Sequence, residues 1–434
     1  MFQTLKNAWN VKELRNKIIF TIFILLIFRI GSFIPVPYIN VSALQAAMSG
    51  DTANEFFSYL SILTGGGLEY GAIFAMSVTP YINSSIIVQL LCVVIPAWER
   101  WSKEGEEGQK KLAQVTRYAT IILALIQGIA YYIYLLNGDS NTSTYLTVEG
   151  GFAKWFAGFV IVLAFTAGSA LVMWLGEQID VKGIGNGISM ILFAGILSRG
   201  PQAAGMLWTY WAEYDKYVAV AGILLAFLAI IAFVVWMTAA ERRIPVQYAK
   251  RVVGNKMYGG QNTHIPIKVN MSGVMPIIFA SSILMLPTMV LGFMNTKQVA
   301  SSFGKFLQLF SVQGVFYAVV YFFLIIGFAY FYATIQFNPV EMTNNLRKNG
   351  GAVPGIRPGK PTSDFISKIL SRITLMGAIF LSVIAIIPII VGSVGGINIS
   401  LGGTSVLIMV GVALDTVRNL ESQMMMRHYK GFLD

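Results

Sequence analysis

Ten runs of apolar residues, separated by polar or basic stretches, constrain this chain more than any other feature of its sequence. The hydrocarbon core of a bilayer needs roughly 20 apolar residues of helix. Runs approaching or exceeding that length lie at 18–34, 72–95, 118–136, 155–175, 184–197, 217–237, 274–293, 315–335, 373–391 and 401–417. Of the 434 residues, 56% are hydrophobic and only 12% charged, too little polar surface for an ordinary water-soluble domain. The fold class that follows is an all-α integral membrane protein of ten transmembrane helices. The fifth and tenth runs are short and broken by glycine, as in helices that line a cavity instead of facing lipid.

Orientation follows from the cations. With the N-terminus cytoplasmic, 25 of the 31 Lys and Arg fall in the inner segments, against Lys154, Arg199, Lys216, Lys297 and Lys305 in the outer ones and Arg29 inside the first run. That bias predicts a cytoplasmic N-terminus, a cytoplasmic C-terminus and an even number of spans. The basic residues before the first run resemble the start of a signal peptide, but the run ends in Ile34-Pro35-Val36-Pro37 without a small-residue cleavage site, so it reads as a retained span. Tyr131, Tyr132, Tyr134, Trp98 and Trp101 flank runs where interfacial anchors belong. The net charge of +11 lies between hydrophobic segments, so anionic phospholipids and docking partners are its expected targets, not nucleic acid directly.

Enzyme chemistry finds little material here. The two histidines, His264 and His428, are far apart in sequence and belong to no HExxH motif, so no metal or catalytic site is expected from them. The loop Gly355-Ile356-Arg357-Pro358-Gly359-Lys360-Pro361 looks like a phosphate cradle, but it is one residue short between its glycines and has Pro361 where Ser or Thr is required. No cofactor is expected, and nucleotide hydrolysis must come from a partner. The single cysteine, Cys92, lies in an apolar run and reads as a small hydrophobe. Ion-coupled transport needs several intramembrane ionisable groups; Arg29 can extend toward the outer interface, and Asp415 can pair with Arg418 one turn on. A secondary solute transporter with inverted repeats is therefore the weaker alternative, and an intramembrane protease lacks a catalytic pair.

Several segments are more specific. Pro80 starts a helix on which Ile82 and Ile86 stack at i,i+4 spacing. Pro276-Ile277-Ile278-Phe279-Ala280-Ser281-Ser282 echoes it in the seventh run, hinting at an inverted five-plus-five repeat with halves at 1–210 and 211–434. The stretch 57–71, ending Thr64-Gly65-Gly66-Gly67-Leu68-Glu69-Tyr70-Gly71, is too short and Gly-rich to cross a bilayer and too apolar for a free loop. It should be buried in protein or a vestibule, and a movable half-helix is expected there. Two long basic loops, 238–272 and 336–371, carry Glu241-Arg242-Arg243-Ile244-Pro245 and Arg347-Lys348-Asn349-Gly350-Gly351 with the Gly- and Pro-framed Arg357 and Lys360. Their Gly and Pro favour a rigid, turned docking surface for an anionic partner.

The runs PYINSSIIVQLL, GIGNGIS (183–189), ERRIPVQYAKR, IPIKVNMSGVMPIIFASSIL and LRKNGGAVPGIRPGKPT together resemble the SecY/Sec61-alpha family, in the family's order and over essentially the whole chain. The resemblance implies two inverted five-helix halves around a central hourglass pore, a protein-conducting channel in the bacterial plasma membrane that opens sideways to lipid. It implies a pore ring at Ile82, Ile86, Ile188, Leu192, Ile278 and Ile408, with Leu at 192 where the family has Ile. It implies a plug over Leu60, Ile62, Leu63, Gly65, Gly66, Gly67 and Leu68, and lateral-gate polar groups at Gln89 and Gln127. Arg357, with Arg242, Arg243, Lys250, Arg251, Lys348 and Lys360, would dock a SecA-like motor ATPase or a ribosome. The implied partners are these two, SecE-like and SecG-like small membrane subunits, and the secretory precursors and membrane-protein substrates. An aliphatic constriction suits that task because it offers no hydrogen bonds to trap a passing chain and resists wetting.

Overall fold

The computed structural model describes residues 8–49, 61, 64–137, 145–148, 150–212, 217–248, 251–253, 256–258, 262–270, 273–293, 302–310, 314–395 and 403–430. Its helices are α1 (Lys12–Gly31), α2 (Val41–Ser49), α3 (Thr79–Val94), α4 (Pro96–Lys103), α5 (Glu106–Asn137), α6 (Gly151–Lys182), α7 (Gly187–Ser198), α8 (Gly200–Ala212), α9 (Tyr217–Ala239), α10 (Met275–Phe293), α11 (Ser302–Gln308), α12 (Val315–Gln336), α13 (Pro339–Lys348), α14 (Lys360–Gly395) and α15 (Gly403–Lys430). Strands β1 (Glu241–Tyr248), β2 (Arg251–Val253), β3 (Lys256–Tyr258) and β4 (Asn262–Lys268) lie between α9 and α10, and β5 (Gly351–Ala352) follows α13.

Each of the ten apolar runs falls on a helix: α1, α3, α5, α6, α7, α9, α10, α12, α14 and α15. Among the described residues, five helices are long and apolar enough to cross a membrane by length and composition alone, or six if the bent pair α3 and α4 is one span. The others miss that criterion for plain reasons. Helix α1 carries Lys12, Glu13, Arg15, Lys17 and Arg29; α7 has only 12 residues; α15 continues into the charged tail. Helices α5 and α6 have 32 residues each, about 48 Å at the helical rise, so they run beyond a core of roughly 30 Å. Arg117 Nε and Glu177 Oε1 pair at 2.7 Å and tie these two helices together.

The second span starts later than its apolar run. Residues 64–78 form successive turns, not helix, and α3 begins at Thr79 with Pro80 in its first turn. Positive φ at Gly65, Gly66, Gly71 and Ser77 prevents a continuous helix there. The expected half-helix over 57–71 is thus corrected: beyond Ser61 its described part is turned chain. At its other end α3 meets α4 with a bend of 109° at Ile95-Pro96. Pro96 removes the amide that would continue the α3 ladder, and Trp98 stacks on Trp101 at 6.3 Å.

Glycine sets the α6–α7 crossing. A Cβ on Gly187 would lie 1.9 Å from the Gly176 carbonyl oxygen, and one on Gly176 would lie 2.5 Å from Ile188 Cδ1. The backbones therefore meet as closely as small residues permit. Gly185 takes φ +77°, the Asn186 side chain accepts from Ser189 N at 3.0 Å, and Asp180 Oδ1 accepts from Gly187 N at 2.7 Å. The GIGNGIS run thus turns the chain, caps α7 and aims Ile188 inward.

The two long basic loops share one sheet in the order β4-β1-β5. Strand β1 pairs antiparallel with β4 from Glu241↔Lys268 to Gln247↔Asn262, and with β5 at Gln247↔Ala352 and Tyr248↔Gly351. Alternation along β1 puts Ile244 and Val246 inside and Arg243, Pro245 and Gln247 outside. Ile244 and Ile267 pack with Val353, Ile366 and Leu370, so the sheet rests on the start of α14. Pro245 is paired only with β4, beyond the reach of β5, where a missing amide is tolerated.

Candidate functional site: an aliphatic cluster and a buried glycine segment

Five of the six expected ring residues come together. Ile188, Leu192 and Ile408 are buried in one cluster with Ile24, Phe28, Phe74, Val78, Val172 and Ile191, and Ile82 and Ile278 pack against it. They arrive on α3, α7, α10 and α15, so spans from the two ends of the sequence close on one another. Ile86 is also buried, at 4% exposure, but lies outside that cluster. Phe74 and Val78, from the turned segment before α3, join the same cluster; their place is not legible from helical periodicity because they are not on a helix.

The turned segment seats between α1, α5 and α7. Gly65, Gly66, Gly67 and Leu68 are buried; Leu60, Ile62 and Leu63 lie outside the described residues. Local bonds satisfy much of the backbone, among them Gly66 N to Ser61 O at 2.8 Å, Ala72 N to Gly67 O at 2.9 Å and Ile73 N to Ile34 O at 3.0 Å, the condition for irregular chain at membrane depth. Side chains supply the rest. Arg29 Nη1 donates to Gly65 O at 2.7 Å, and the buried Tyr131 hydroxyl donates to Leu68 O at 3.1 Å. Arg199 Nη2 donates to both Glu69 Oε1 and Ser61 Oγ, and the Ser61 hydroxyl donates to the same carboxylate oxygen at 2.7 Å. Arg29 thus turns onto the glycine segment, and Arg199, at the connection after α7, is only 8% exposed. The signal available in sequence was an arginine directly after an apolar run, Ser198-Arg199, with Glu69 as the one acidic residue of the glycine segment.

A third feature joins the two ends of the chain. The Tyr332 hydroxyl on α12 donates to Gln89 Oε1 on α3 at 2.8 Å, and Gln89 Nε2 donates to Ser85 Oγ at 3.2 Å. The Tyr332 ring meets Phe279 of α10 edge-on at 5.1 Å. Gln127 is half-buried on α5 and takes no part in this contact. Sequence reasoning named Gln89 but missed Tyr332, one of many tyrosines in apolar runs.

The expected docking cations stand at the sheet. Arg242, Arg243, Lys348, Arg357 and Lys360 are exposed; Lys250 and the Arg251 side chain lie outside the described residues. Arg243 Nε pairs with Glu241 Oε1 at 2.7 Å. Positive φ at Gly355 and Gly359, and the Thr362 hydroxyl donating to Arg357 O at 2.8 Å, hold the Arg357 loop in one shape. Near the last span, Arg418 Nη2 donates to Thr238 O at 2.8 Å, and its charge acts on the nearby Asp415 carboxylate. Asp415, Arg418, Lys268 and Asn270 line a cavity of about 300 Å³.

A family model described as SecY matches residues 72–417. The chain belongs to the SecY family. A SecY relative, the "Protein translocase subunit SecY" of Bacillus subtilis (strain 168), is 45% identical over 449 residues, covering 100% of both chains. Two solved structures share the SecY fold, each covering 94% of this chain and 92% of its own. One, described as showing that the plug domain of the SecY protein stabilises the closed state of the translocation channel and maintains a membrane seal, has a TM-score of 0.65 at 16% identity. The other, "Sec61 in the Canine ribosome-channel complex from the endoplasmic reticulum", has a TM-score of 0.62 at 15% identity. The ten-helix membrane architecture read from the apolar runs is that of the SecY fold.

Proposed function

We propose that this chain is the pore subunit of a protein-conducting channel that passes unfolded secretory polypeptides across the bacterial plasma membrane and releases hydrophobic segments sideways into the bilayer. The observation that carries the reading is the aliphatic cluster of Ile82, Ile188, Leu192, Ile278 and Ile408, drawn from α3, α7, α10 and α15. An apolar constriction seals against ions without gripping a polypeptide. A solute transporter would instead need polar or charged groups converging at the midplane.

In this reading residues 1–210 and 211–434 form two halves, and the seam between them is the lateral gate. The contact of Gln89 with Tyr332 clasps that seam, and Gln127 adds a polar group beside it. Residues 57–71 are the plug, and Ile86 lines the wall next to the ring. Both termini are cytoplasmic, which puts the β4-β1-β5 sheet and the Arg357 loop on the cytoplasmic side. There Arg242, Arg243, Lys250, Arg251, Lys348, Arg357 and Lys360 meet a motor ATPase resembling SecA or a ribosome. The chain itself is not an enzyme, and the driving force comes from these partners; SecE-like and SecG-like subunits complete the membrane assembly.

The test is ATP-dependent protection of a secretory precursor from added protease, in proteoliposomes holding this chain, its small membrane partners and the motor. Protection that is lost with Arg357→Glu supports the reading. No protection, together with ion-coupled uptake of a small solute, refutes it.

A further inference from the structure

We infer that Arg199 is a specificity-determining residue: its buried contact with Glu69 and Ser61 latches the plug segment shut and sets how strong a signal must be to open the channel. The inference rests on the channel reading above and adds a residue-level cause for its threshold.

The argument starts from which partner travels with which element. Glu69 and Ser61 belong to the turned segment, whereas Arg199 follows the last turn of α7 and Arg29 sits in the last turn of α1. If the segment leaves its seat, the carboxylate leaves with it and both guanidiniums stay behind. The contact therefore exists only in the seated state and biases the equilibrium toward it. Breaking a buried ion pair by removing one partner is costly because it leaves a charge uncompensated. The side chains are 9% exposed for Arg199 and 24% for Glu69, so water screens this pair little.

The geometry is also directional in a way the apolar cluster is not. One guanidinium nitrogen serves two acceptors that are themselves hydrogen-bonded, Ser61 to Glu69 at 2.7 Å. Gly65 seats the segment on α7: its φ is +64°, a Cβ there would lie 2.9 Å from Gly195 O, and its own carbonyl accepts from Arg29 at 2.7 Å. Gly66 lies under Arg199, with its would-be Cβ 3.6 Å from Nη2. An oily seal tolerates small shifts, whereas this network holds in one arrangement and is lost in any other.

The network is at the same time incomplete. The Arg199 Nε atom finds no acceptor among the described residues. A fully satisfied network would hold the plug more firmly. The partial one gives a closed state that a strong signal can overcome and a weak one cannot, a bistable element with a modest gap.

The experiment uses the complete translocase in proteoliposomes, comparing a precursor with an intact signal against one whose signal core is crippled. Arg199→Ala and Glu69→Ala are each expected to raise crippled-precursor export on the order of tenfold, the change that about 1.4 kcal/mol lost from the closed state produces. Arg199→Glu combined with Glu69→Arg is expected to return it toward the unsubstituted level, which a merely structural role would not do. Ser61→Ala, which keeps both charges, is expected to give a smaller rise and covers the case in which a charge variant fails to fold. Unchanged crippled-precursor export in the folded variants, with intact-signal export retained, overturns the latch and leaves the channel reading standing. A charge swap no better than the single variants also overturns it. No ATP-dependent export of the intact precursor by the unsubstituted chain removes the channel reading and the latch with it.

Discussion

Replacing Tyr332 with Phe isolates one hydrogen bond at the seam. The ring that meets Phe279 edge-on at 5.1 Å is kept, and only the hydroxyl that donates to Gln89 Oε1 at 2.8 Å is lost. A net hydrogen bond of this kind is worth about 0.5–1.5 kcal/mol, which corresponds to roughly a 2- to 13-fold shift of an opening equilibrium. Each leucine in a membrane-inserting segment contributes about 0.3–0.6 kcal/mol. The substitution should therefore lower the insertion threshold of a graded Leu/Ala test segment by about one to five leucines. Gln89→Leu should shift it in the same direction. The assay is the membrane-inserted fraction of each test segment, at matched channel abundance. An unchanged threshold in both variants would refute the reasoning that this bond clasps the gate.

Ile408→Asn and Ile278→Asn should raise ion leak through the idle channel, because an amide in an aliphatic constriction invites water; planar-bilayer conductance checks this. Gly187→Val places a branched side chain where even an added Cβ would lie 1.9 Å from Gly176 O, and should destabilise the chain by about 1–3 kcal/mol, read as a lower thermal midpoint in detergent. Val246→Asp buries a carboxylate in the sheet where Val246 is 0% exposed; it should abolish motor or ribosome binding while the membrane spans remain assembled, seen as lost co-purification with normal membrane abundance. Arg357→Glu should reduce motor-driven export with unchanged protein level, because the side chain is exposed and its loss removes no packing.

Ten apolar runs were legible because a bilayer imposes a length and a composition that few other folds demand. Each run lands on a helix, and the bias of Lys and Arg was enough to predict an orientation. The ring positions were accessible by family resemblance, and five of the six meet in one cluster. The sheet formed by the two basic loops was not foreseen, because its register joins residues as far apart as Tyr248 and Gly351, and a short-range pattern cannot report a pairing across an intervening set of spans. The turned course of 64–78 was masked by its apolar composition, which reads equally as helix; positive φ at Gly65, Gly66, Gly71 and Ser77 decided against it.

The buried polar contacts mark the boundary most clearly. Sequence fixes that Arg29, Glu69, Arg199, Gln89 and Tyr332 exist near apolar runs, and the expense of a buried polar group says that each needs a partner. Which partner each one finds is a property of the packed molecule alone. Arg199 meets a residue 130 positions away and Tyr332 one 243 away. Hydrophobic length is a local quantity that any window of sequence contains, whereas charge pairing depends on which helix ends the tertiary fold brings together.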